Sequence, residues 1–64
     1  MIMKKLTQKE VRSWMVSLAK SQGFYGRLLH DWDDATPAGR RNVMRELNSL
    51  QVKDIYDFVI YIEG

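Results

Sequence analysis

The sequence predicts a small all-α domain of three helices, with a long N-terminal helix, bent at most at Gly23–Gly26, followed by two shorter ones. Two helix-start signals and a recurrence of apolar residues every three to four positions carry that prediction.

The first start is unusually complete. Thr7 stands as N-cap, Glu10 three residues later as its capping-box partner, and Leu6 with Val11 at the spacing of a hydrophobic staple. From there Val11, Trp14, Met15 and Leu18 fall on one helical stripe, and Gln22, Tyr25, Leu29 and Trp32 continue it without a phase slip. Gly23 and Gly26 interrupt the stripe, each costing about 1 kcal/mol relative to alanine in a helix interior. The unbroken phase favours one helix from Thr7 to about Asp33 over two helices hinged at the glycines.

Asp33-Asp34-Ala35 reads as a polar connection, and Thr36-Pro37 as a second start, a hydroxyl N-cap followed by proline at the first helical position. A helix is expected from Pro37 to about Ser49, with Val43, Met44, Leu47 and Leu50 on its apolar face and Arg41, Arg45 and Asn48 turned away. The last segment, Val52 to Ile62, is rich in strand-preferring residues. Its Val52, Ile55, Val59 and Ile62 nevertheless repeat at helical spacing, and a lone strand would have no partner. It is therefore read as a helix, with Phe58, Ile60 and Tyr61 outside the stripe. A helix apolar round most of its circumference is either central or shared with another chain.

Sixty-four residues, 45% hydrophobic and 28% charged, make one folded domain with a modest core. The absence of cysteine removes disulfides and thiolate zinc sites from consideration. No apolar run approaches the roughly 20 residues of a membrane span and the start lacks a secretory signal, so a cytoplasmic location is expected. The net charge of +2 hides an asymmetry. Residues 1–30 carry six bases against Glu10, and residues 31–64 carry seven acids against four bases.

Chemistry has little to work with. His30 lies beside Asp31, Asp33 and Asp34, but no second histidine stands at helical spacing and the acids lack calcium-loop spacing. Ser13, Ser17, Ser21 and Ser49 have no histidine placed to activate them, and no glycine-rich loop follows a strand. Gly23-Phe24-Tyr25-Gly26 matches the bare G-x-x-G of KH domains, but those need a sheet around the loop. Its glycines read instead as a notch for a neighbouring helix, with Phe24 and Tyr25 packing beside it. No enzyme, no cofactor, no metal and no small-molecule substrate are expected.

Two surfaces remain. Phe24, Tyr25, Tyr56, Phe58, Ile60 and Tyr61 are candidates for binding another protein or a second copy of this chain, since Tyr and other aromatics are enriched at binding hot spots. Trp14, Tyr25 and Trp32 are assigned mainly to the core. The alternative is a nucleic-acid contact through Lys9, Arg12, Lys20 and Arg27, which would share one face of a continuous first helix, joined by Lys4 and Lys5. No helix-turn-helix spacing supports base reading.

The stretch Leu18 to Leu29, with the closing Tyr61-Ile62-Glu63-Gly64, resembles a group of small uncharacterised proteins of Gram-positive bacteria and their phages or mobile elements. The resemblance implies a bacterial cytoplasmic accessory protein with a regulatory or host-facing binding role. It assigns no residue a function.

Overall fold

The computed structural model describes residues 5–64. They form four helices, one more than expected: α1 (Gln8–Ser21), α2 (Tyr25–Asp34), α3 (Pro37–Ser49) and α4 (Ile55–Glu63). Among the described residues there is no strand, and no helix is long and apolar enough to cross a membrane.

The start of α1 is built as its sequence implies. Thr7 accepts from the Glu10 backbone N–H, and Glu10 Oε1 accepts from the Thr7 backbone in return. Leu6 and Val11, the staple pair, are both in the core. The other end overturns the single long helix. Gln22 leaves the helix in an extended conformation, and the Ser21 hydroxyl donates to the carbonyls of Ser17 and Leu18. Two turn bonds, Tyr25 N–H to Gln22 and Gly26 N–H to Gly23, then start α2 without any side-chain cap.

The chain reverses at this point. Arg12 and Asp33 would stand roughly 31 Å apart on one straight helix at 1.5 Å per residue. Instead the Arg12 Nε donates to Asp33 Oδ1 at 2.9 Å, so α1 and α2 form an antiparallel hairpin. Gly23 and Gly26 do not act as a notch. A Cβ added at either would meet nothing within 4 Å, so their effect is low helix propensity at a place where the helix ends.

Thr36 caps α3, accepting from the Gly39 N–H, with Pro37 at the first position, as read. Arg40 reaches back to donate to the carbonyls of Ala35 and Trp32, satisfying the end of α2. At the far end of α3, Val52 N–H bonds to the Leu47 carbonyl and Gln51 N–H to that of Asn48, a Schellman closure. The left-handed position is held by Gln51, at φ 58°, rather than by glycine. Its apolar companions are Leu47 and Val52, both buried.

The last helix begins later than the pattern suggested. Asp54 is its N-cap, accepting from the Asp57 N–H at 2.9 Å, so Val52 precedes the helix and fills the core from the connection. The buried side of α4 therefore centres on Phe58, which the stripe through Val52 had placed outside. Asn48, assigned to the outer face of α3, is half-buried. It accepts from the Leu6 N–H and donates to the Met44 carbonyl, pinning the segment before α1 to α3. Leu50, placed on the apolar face, is exposed instead.

Tyr25, Phe58, Leu47 and Val11 are the largest side chains fully shut from solvent. One comes from each helix, so the core is shared by all four. Trp14 packs on Phe58 with ring centroids 5.6 Å apart, and the Tyr25 hydroxyl donates to Glu63 Oε2 at 3.3 Å, closing α2 onto the end of α4.

Candidate interaction surface

Burial divides the aromatic and aliphatic candidates in two. Tyr25 and Phe58 are core residues and leave the accessible set, because each is almost wholly covered by its own chain. Phe24, Tyr56 and Ile60 are 64%, 77% and 69% exposed, and Leu50, which the sequence reading placed inside, is 58% exposed. Phe24 stands at the α1–α2 turn and lies against the Tyr25 ring at a centroid distance of 4.4 Å.

The other three gather around α4. Tyr56 and Ile60 are four residues apart and so lie on one face of the helix. Ile60 and Tyr61 line a shallow groove with Leu50 and Val52, reaching the end of α3. On its other side Tyr61 borders a second, apolar cleft of about 220 Å³, lined by Met15, Leu28, Trp32, Val43 and Ile62 with Phe58. Tyr61 thus forms the ridge between two depressions.

The ridge is held in place. The Tyr61 ring stacks over Phe58 at 6.4 Å, and Glu46 lies near enough to act on its phenol. Burial, followed by the charge of Glu46, raises its phenol above the ordinary value of 10.0. An aromatic between an apolar cleft and a groove of mixed lining, with Gln51 and Asp57 in the latter, resembles the anatomy of a binding hot spot. Leu50 was missed because its place on the helical repeat says buried. The signal that would have found it is the non-helical Gln51-Val52 turn, which ends α3 before Leu50 can face inward.

The basic residues are also redistributed. Lys9, Arg12 and Lys20 belong to α1 and Arg27 to α2, so the four do not share a face of one helix as expected. Arg12 is committed to Asp33 through Nε and Nη2, at 2.9 and 3.1 Å. The hydrogen bond raises the guanidinium and holds the Asp33 carboxyl below 3.8. Lys9 and Arg12 line a cleft with Arg40 from α3, while Lys5 joins Arg41 and Arg45 in the next one. Lys4 lies outside the described residues.

His30 Nδ1 lies 3.4 Å from Asp34 Oδ2 in an exposed pair one helical turn apart. Among the described residues no group of three His, Cys, Asp or Glu side chains converges on a metal position. No protein-family model, curated protein or solved structure matches the chain.

Proposed function

We propose that this chain is a non-catalytic helical interaction domain that binds another protein, or a second copy of itself, through the α4 surface around Tyr61. The observation that supports this reading is the exposure of Leu50 and Ile60, which line one of the two depressions flanking Tyr61, with exposed Tyr56 one turn before Ile60 on the same helix. Single exposed apolar residues are ordinary, whereas a contiguous group beside an anchored aromatic marks a contact surface. Phe24, at the α1–α2 turn, is a second exposed aromatic outside the clefts that flank Tyr61.

The test compares the native chain with Tyr56→Glu and Ile60→Glu variants, both at exposed positions where folding is insensitive to substitution. Sedimentation equilibrium from micromolar to near-millimolar concentration reads self-association. Affinity capture from the native host reads a different partner. The expected result is a complex, of either kind, that both variants lose while their helical circular dichroism is unchanged. A native chain that stays monomeric and captures the same proteins as its variants overturns the reading.

A further inference from the structure

Away from α4, the segment before α1, the first turns of α1 and the first three turns of α3 build a second surface. Its two clefts meet at Gln8. One is lined by Lys5, Arg41 and Arg45, the other by Lys9, Arg12 and Arg40. Six of the chain's ten lysines and arginines therefore stand on this face, and the carboxylate that lines it, Asp33, is already held by Arg12. Glu10, nearby on α1, is engaged with Thr7 in the capping box.

The arrangement works against the fold. Arg41 and Arg45 sit one turn apart, where like charges destabilise a helix, and the Leu6 bond to Asn48 brings Lys5 up to the same cleft. Among the described residues Arg12 is paired with Asp33, and neither that pair nor the His30–Asp34 contact takes up Lys5, Lys9, Arg41 or Arg45. Elsewhere the described cations are Lys20, Arg27 and Lys53, against six acids. A field of that polarity turns the α1–α3 face toward a polyanion.

We infer that this face binds the phosphate backbone of double-helical nucleic acid without reading its sequence. Lys5, Lys9, Arg41 and Arg45 supply the phosphate contacts; Arg12 and Arg40, committed to Asp33 and to the carbonyls ending α2, shape the floor. Arginine forks match phosphate oxygens. The aromatic lining the clefts is Trp32, which is buried, so no ring is offered for the base stacking on which single-strand binding depends.

The test is fluorescence anisotropy with a labelled random-sequence DNA duplex, its separated strand, and a polyglutamate peptide. Four phosphate contacts predict that duplex affinity falls about a hundredfold between 50 and 200 mM salt. Lys5→Glu with Arg45→Glu is expected to abolish that binding, and Lys20→Glu with Arg27→Glu, the same change in net charge off this face, to leave most of it. Arg41→Gln with Arg45→Gln guards against misfolding, since it relieves the repulsion and should bind weakly while melting no lower than the native chain. Equal losses from the two charge reversals, no binding at 50 mM salt, or preference for the single strand or the peptide would each overturn the inference.

Discussion

Arg12 of α1 and Asp33 of α2 are joined by two hydrogen bonds, at 2.9 and 3.1 Å, across 21 positions of sequence. This pair records the chain reversal that the glycine-containing turn produces. Both side chains are about half exposed, so the link fixes geometry more than it stabilises.

The pair has a pH signature. Asp33 is held below its ordinary 3.8, chiefly by the Arg12 hydrogen bond, so its contribution is complete above that value and is lost as pH falls through the lowered folded value. A double-mutant cycle of Arg12→Ala and Asp33→Asn is expected to show a small favourable coupling at neutral pH that vanishes in strong acid and shrinks in high salt. Urea denaturation at several pH values measures it.

Phe58 and Ile60 are two residues apart on α4 with opposite environments, one sealed in the core and the other 69% exposed. Phe58→Ala should cost about 3 to 5 kcal/mol. A domain of this size has on the order of 3 to 10 kcal/mol in total, so the variant is expected to be largely unfolded by circular dichroism at ambient temperature. Ile60→Ser should change stability by less than about 0.5 kcal/mol. Equal effects from the two substitutions would mean that α4 is turned otherwise.

What the sequence made legible was local chemistry. The Thr7 capping box and the Thr36-Pro37 start are written in side chains that bond within one turn, and α3 ends at Ser49 as read. The break after Ser21 was hidden because the apolar spacing from Leu18 to Tyr25 and Trp32 keeps helical phase across the turn, and no proline marks it. Asp54 was likewise masked: on a helix extended back to Val52 it counts as a solvated residue rather than a cap. The α4 surface was half legible. A helix with surplus apolar area pointed to it, but Phe58 inside and Leu50 outside follow from where α3 stops, which is set by packing.

Gln51 occupies the left-handed region at φ 58°, where a residue with a Cβ is disfavoured, and it does so to close the end of α3. Gln51→Gly should stabilise the domain by about 0.5 to 1 kcal/mol, the relief of that strain exceeding the added freedom of the unfolded chain. Gln51→Val, branched at Cβ, should destabilise it. Denaturant midpoints of the three proteins check the order, and a glycine variant less stable than the native chain would show that the Gln51 side chain contributes to the closure.

Tyr25 gives the fold an alkaline limit. Its ring is fully buried and its hydroxyl donates to Glu63, so burial first, and then the charge and hydrogen bond of Glu63, raise the phenol above 10.0. A raised folded value means that stability is complete below 10.0 and is lost as pH climbs from there through the folded value. Tyr25→Phe cannot ionise at this site. It should forfeit the Glu63 bond at neutral pH and yet lose stability less steeply above pH 10, while Tyr61, also raised, keeps the slope from vanishing. Glu63→Gln should retain a hydrogen-bond acceptor and remove the charge, shifting the onset of alkaline unfolding less than Tyr25→Phe does, because burial rather than Glu63 is the larger cause. Denaturant midpoints followed from pH 8 to 12 read both effects, and an alkaline slope unchanged in Tyr25→Phe would place the limiting ionisation elsewhere.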